Sequence, residues 1–244
     1  MPPPSISPSP PTPHDSAIGA VRHALVDASA AAGRAPARLL AVSKTRSAGE
    51  IAALAAQWSQ IDPAGPRAFG ENYVQEALAK QPALAGLGLE WHLIGHLQSN
   101  KARDAARAFD WVQTVDRPKL IEALAQHRPE DRPALNVLIQ VNIDDEASKH
   151  GCRPDAVEAL AAAIAAQPRL RLRGLMAIPA PAPDMGQRRD AFRRMRALFE
   201  GLARQNPSAD TLSMGMSEDY ALAIAEGATM VRVGTALFGP RARE

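Results

Sequence analysis

Cysteine is nearly absent: Cys152 is the only one in 244 residues. That excludes a disulfide framework and any metal site built from several thiolates, and it fits a reducing compartment. An excess of charge of one sign is also lacking. The chain has 28 lysines and arginines against 26 acidic residues, a net charge of +2, and the basic side chains are scattered. Nothing in that distribution calls for nucleic acid or another polyanion. No apolar run is long enough to span a bilayer. The start, MPPPSISPSPPTPH, has neither the basic beginning nor the apolar stretch of a signal peptide. It is expected to be a disordered tail over residues 1–14, with the cytoplasm as the expected location.

What the chain does have is alternation. From Asp15 onward Ile18, Val21, Leu25 and Ala28 recur at helical spacing, with Asp15 or Ser16 as the cap and Gly33 and Pro36 as the stop. Strand-like runs then fall at 38–45, 67–72, 90–95, 110–115, 135–142, 170–178, 211–216 and 229–235. Between them lie helical segments at 49–60, 74–81, 100–108, 118–127, 154–166, 186–205 and 218–226. Strands separated by helices imply parallel pairing with right-handed crossovers. Eight such units in a chain of this length match a (β/α)₈ TIM barrel spanning residues 15–244 as one domain. A doubly wound open sheet would carry a glycine-rich turn after its first strand. Here that strand runs into Ser43-Lys44-Thr45.

Barrel chemistry gathers where the strands end. Lys44 follows the apolar run LLAVS. Held there without water it would lose its proton readily and act as a nucleophile toward a carbonyl; reaching past the strand end it would be an ordinary solvated lysine. Ser213 and the run Arg232-Val233-Gly234-Thr235 fall at the seventh and eighth strands, where barrels often hold phosphate on backbone N–H groups and a short helix, here Ala236-Leu237-Phe238. Turn or capping polarity would equally explain Ser213 and Thr235. Arg232 alternates with Val231 and Val233, so it either lines the barrel interior, where it needs an acceptor, or reaches out between helices. His92 and His96 have the spacing of a zinc-binding helix, but Gly95 intervenes, the segment reads as a strand, and no third ligand accompanies them. Arg188, Arg189, Arg193 and Arg194 read as a solvated helix face, and Cys152 as an inert thiol.

Seven stretches, in order, resemble the pyridoxal 5′-phosphate (PLP) homeostasis family, small PLP-binding barrel proteins related to the N-terminal domain of alanine racemase. They are AVSKT (41–45), FGENYVQEA (69–77), WHLIGHLQSNK (91–101), VQTVD (112–116), VNIDDEASKHG (141–151), GLMAIP (174–179) and LSMGMSEDYALAIAEGATMVRVGTALFG (212–239). The resemblance implies fold type III of the PLP proteins, with Lys44 as the Schiff-base lysine. It implies Ser213 and the amides of Gly234 and Thr235 at the phosphate, and Arg232 facing the pyridine nitrogen. Asn72 and Met176 would lie against or beside the ring, with His92 nearby. It also implies a carrier or regulator of PLP without defined turnover, whose partners are PLP and the apo-enzymes that use it. Racemisation needs a base on each face of the carbon, and related racemases draw the second, a tyrosine, from a C-terminal β-domain. No residues are expected to remain for such a domain here, and the only tyrosines, Tyr73 and Tyr220, fall at helix starts. A monomer is therefore expected. A racemase-like enzyme is the alternative, and a cofactor-free barrel acting on a small phosphorylated substrate is a third reading.

Seven of the first fourteen residues are proline and none forms a periodic apolar face. Deleting residues 1–14 is expected to leave melting temperature and PLP affinity unchanged. A loss of more than about 1 kcal/mol in stability would show that the tail docks on the domain.

Overall fold

The computed structural model describes residues 16–146, 150–179 and 184–240, so the tail expected over residues 1–14 lies outside the described residues. Ser16 caps the first helix, α1 (Ala17–Ala31), its hydroxyl accepting from the Gly19 amide at 3.2 Å. Gly33, at φ 64°, turns the chain out of that helix in a conformation that only glycine adopts without cost. There follow β1 (Arg38–Val42), α2 (Ala48–Ile61), β2 (Arg67–Glu71), α3 (Val74–Leu84), β3 (Leu89–Leu93) and α4 (Ala102–Ala108). The chain continues with β4 (Trp111–Val115), α5 (Pro118–His127), β5 (Leu135–Gln140), α6 (Val157–Ala165), β6 (Leu170–Met176) and α7 (Met185–Gln205). It closes with β7 (Thr211–Met216), α8 (Tyr220–Ala225), β8 (Met230–Val233) and α9 (Thr235–Phe238).

The strands pair in chain order, all parallel, and β8 pairs back onto β1. The architecture is the expected (β/α)₈ barrel. Because α9 is a single turn, it cannot cover the sheet after β8. That place is taken by α1, which packs against α2, α8 and α9. The strands are shorter than their apolar runs suggest. β1 stops at Val42 because the Arg46 amide bonds the Ser43 carbonyl at 3.0 Å and closes a turn.

Side chains alternate across each strand. One set, including Leu39, Ala41, Phe69 and Val231, joins Ile18, Trp58 and other helix residues in the large core between sheet and helices. The other set points into the barrel, where Leu40, Ala68, Ile94 and Met230 form one patch and Trp111, Leu138 and Met176 another. At the strand starts, the guanidinium groups of Arg38 and Arg173 lie 5.6 and 4.6 Å from the centroid of the Trp111 ring, plugging that end with cation–π contacts.

Gly174 determines how β6 crosses this interior. The register between β5 and β6 slips there, Val137 facing Leu172 but Leu138 facing Gly174. Gly174 has φ 139°, and a Cβ on it would meet the Thr211 carbonyl oxygen at 1.9 Å. Gly174→Ala combines backbone strain with overlap against a backbone atom, and is expected to cost more than about 3 kcal/mol. Urea denaturation tests this; a loss below about 1 kcal/mol would mean that β6 shifts to make room.

Candidate functional site

At the C-terminal ends of β1, β2, β7 and β8 a cleft of about 330 Å³ opens, with Lys44, Asn72, Ser217, Arg232, Gly234 and Thr235 in its wall. A larger groove of about 470 Å³ lies between α6 and α7, on the outer helix layer rather than at the strand ends. The strand-end cleft is where this fold brings chemistry together.

Lys44 occupies a corner of the turn after β1, followed by Thr45 in the left-handed region at φ 63°. Both neighbours of Lys44 are tied to one buried ion cluster. Lys80, on α3, donates to the Ser43 carbonyl at 3.0 Å, to the two Glu71 oxygens at 3.0 and 3.2 Å, and to Glu76 at 2.6 Å. Glu76 in turn accepts from the Thr45 amide at 2.5 Å, and Glu71 accepts from the Ser43 hydroxyl at 2.6 Å. Burial pushes the Glu71 carboxyl above its ordinary range, against the pull of Ser43 and Lys80. Arg46 then ties the turn to the far end of the chain: it donates to the Gly239 carbonyl at 2.6 Å and lies 5.5 Å from the Phe238 ring centroid. Asn72 is fixed by the close passage of Gly95, where a Cβ would meet the Asn72 carbonyl oxygen at 2.1 Å.

Arg232 points into the barrel, not between helices, and is 3% exposed. Its Nη1 donates to the carbonyl and the hydroxyl of Ser213, both at 2.9 Å, and its Nη2 to the Ala177 carbonyl at 2.8 Å. Burial lowers its pKa to about 10, which still leaves it charged at neutral pH. Three of the five guanidinium N–H donors are thereby used.

Two of the sequence-expected site residues do not line the cleft. Ser213 is fully buried, its hydroxyl donating to Gln113 at 2.7 Å and accepting from Arg232. The serine in the cleft wall is Ser217, four residues later. Met176 packs inside the barrel against Trp111 and Leu138, beneath Ile178, which does reach the cleft. His92 is buried and stacked on Trp111, with ring centroids 5.0 Å apart. His96 is exposed and stacks instead on His150 at 3.8 Å, and among the described residues no three His, Cys, Asp or Glu side chains converge as a metal site. Arg188 departs from the solvated face expected of it. It turns into the cleft wall and pairs with Asp219 at 3.3 Å, while Arg189 and Arg193 pair with Glu226. Cys152 is buried and its thiol is pushed up to about 12 by desolvation, which makes it unreactive.

Removing one partner of a buried ion pair strands the other. Lys80→Met is therefore expected to cost about 3–5 kcal/mol, with part of the loss recovered by adding Glu71→Gln, since neutral glutamine no longer needs a cation. A loss below about 1 kcal/mol in denaturant titration would show that the cluster does not depend on Lys80.

Comparison with known proteins agrees with the barrel fold. The family described as alanine racemase, N-terminal domain, matches residues 17–242. The pyridoxal phosphate homeostasis protein of Pseudomonas aeruginosa is 52% identical over 226 residues, covering 92% of this chain and 94% of that protein. Its counterpart in Escherichia coli K12 is 50% identical over 229 residues, covering 92% and 95%. Among solved structures, PipY of Synechococcus elongatus without PLP superposes with a TM-score of 0.80 at 37% identity, covering 91% of this chain and 98% of its own. PipY with PLP bound gives 0.77 at 36% identity, with the same coverage. Alanine racemase from Corynebacterium glutamicum, at 23% identity and a TM-score of 0.59, shares the fold, and 61% of its chain is covered. With half of its residues shared over nearly the full length of these relatives, the chain belongs to the family of pyridoxal phosphate homeostasis proteins, built on the alanine racemase N-terminal barrel.

Proposed function

We propose that this protein binds PLP covalently on Lys44 and serves PLP homeostasis as a carrier or regulator without turnover of its own. The observation that carries the reading is the convergence, in one cleft, of an amine (Lys44), a buried guanidinium (Arg232) and the start of a short helix (Gly234 and Thr235). PLP offers a matching set: an aldehyde for the amine, a ring nitrogen for a hydrogen-bond donor, and a phosphate for amide N–H groups. The relatives' names, and the PLP held by PipY, support the same reading.

In this arrangement the first amides of α9 lack intrahelical partners and hold the phosphate, joined by the Ser217 hydroxyl. Ser213 acts one step below, by orienting Arg232. Asn72 lies beside the ring, and Met176 supports Ile178 from beneath. Bound PLP supplies an electron sink, but its strength depends on protonation of the ring nitrogen. Arg232 only donates hydrogen bonds, so it keeps that nitrogen unprotonated and the sink weak. The cofactor is thus held without being activated, which suits delivery to PLP-dependent apo-enzymes by a monomer in the cytoplasm. Racemase-like turnover is the competing reading.

Borohydride reduction followed by peptide mass spectrometry is expected to place the label on Lys44. Label on another lysine, with Lys44 unmodified, would overturn the assignment. Incubation of the PLP-loaded protein with L- and D-alanine in deuterated water is expected to give little exchange at the α-carbon. Rapid exchange with racemisation, abolished by Lys44→Ala, would favour the enzyme.

A further inference from the structure

A single file of hydrogen bonds crosses the barrel from Arg232 to the opposite ends of the strands. Arg232 Nη1 donates to Ser213 Oγ at 2.9 Å, and Ser213 Oγ donates to Gln113 Oε1 at 2.7 Å. Gln113 Nε2 lies 2.9 Å from His92 Nδ1, and His92 Nε2 lies 2.7 Å from Glu90 Oε1. Arg38, the first residue of β1, donates to the same Glu90 oxygen at 2.7 Å. His92, Gln113 and Ser213 have no solvent exposure at all. They come from β3, β4 and β7, and their side chains bond one another directly.

The direction of the file is forced from the Glu90 end. Burial would raise the Glu90 carboxyl, but its hydrogen bonds with His92 and Arg38 and the Arg38 charge lower it. As a carboxylate, Glu90 only accepts, so His92 Nε2 must donate. Burial lowers the His92 pKa, which favours the neutral ring. It then has one N–H, and its Nδ1 must accept from Gln113. The Gln113 amide nitrogen also donates to the Met230 sulfur at 3.2 Å, in keeping with that orientation. That leaves the Gln113 carbonyl facing Ser213, whose one proton it takes. The Ser213 oxygen is then open to Arg232, which has only donors to offer.

We propose that Gln113 and His92 are positioning residues for the cofactor: they relay the acceptor set at Glu90 to Ser213 and so hold Arg232 at the angle that meets the ring nitrogen. The inference rests on the PLP reading above, but its first test does not need the cofactor. Nitrogen-15 NMR of the histidine rings in the full, PLP-free chain is expected to show His92 protonated at Nε2 alone, and Glu90→Gln is expected to mix the two tautomers. In PLP-loaded protein, Gln113→Leu is expected to shift the absorption maximum and weaken PLP binding about tenfold, equivalent to about 1.4 kcal/mol. Glu90→Gln, though on the far side of the barrel, is expected to shift the spectrum in the same sense. Arg173→Gln, at the same end as Glu90 but outside the file, serves as the control and keeps the wild-type spectrum. A His92 proton on Nδ1 in the wild type would overturn the proposal. So would wild-type spectrum and affinity in both relay variants while borohydride still labels Lys44. If Gln113→Leu fails to fold, Glu90→Gln decides alone. A wild-type chain that takes no label on Lys44 would count against the PLP reading, and the tautomer result would still judge the relay.

Discussion

Everything at the site depends on the pairing of the last strand with the first. Leu40 faces Arg232 and Ala41 faces Val233 across the β1–β8 seam. Three residues beyond Ala41 the chain reaches Lys44, and one beyond Val233 it reaches Gly234 at the start of α9. No local signal brings these segments together. They are neighbours because eight parallel strands with a consistent twist close on themselves, and because α1 covers the seam that the single-turn α9 leaves bare. Arg46 then locks the seam from above by bonding the carbonyl of Gly239.

Closure also creates the problem that the interior must solve. An arginine turned inward at β8 is a charge removed from water, and its burial is costly unless its donors are met. Ser213 and Ala177 meet three of them. Small barrels of this type usually fill their interior with branched apolar residues. Here the apolar filling is split into two separate patches, around Leu40 and around Trp111, and polar side chains pass between the two ends of the barrel. On the β2 side, Lys80 and its two glutamates do for the Lys44 turn what Ser213 does for Arg232. In both places a second layer of buried polar groups fixes the orientation of the first.

The architecture was legible because helix and strand periodicities differ, and the alternation repeats eight times. Lys44 was legible as a motif, and as a lysine in an improbable place. Ser217 was not, for a reason that lies in the backbone. Between β7 and β8 the register slips: Ser213 faces Met230, but Met216 faces Arg232, so three residues on one strand span two on the other. Gly215, at φ 90°, takes up the extra residue. Ser213 is thereby left buried inside the barrel, and Ser217 reaches the cleft wall. Glu90, Gln113 and Lys80 escaped for a different reason. Each is an ordinary polar residue in its own segment, and its partner is distant in sequence or follows only once α3 is laid against the sheet. Arg188 sat in one of two arginine pairs, 188–189 and 193–194, that read as one solvated surface, although a helix against a sheet has two sides and the pairs fall on both.

The seam has a consequence in time. A polypeptide is made from its amino end, and domains fold as their parts emerge. Lys44 is among the earliest residues of the site to be synthesised, whereas Arg232, Gly234, Thr235 and the Gly239 carbonyl that Arg46 grips come almost last. For most of its synthesis the growing chain therefore carries Lys44 without the groups that share its cleft in the folded barrel. The cleft is complete only when β8 pairs with β1, so that assembly of the site and closure of the barrel become the same event.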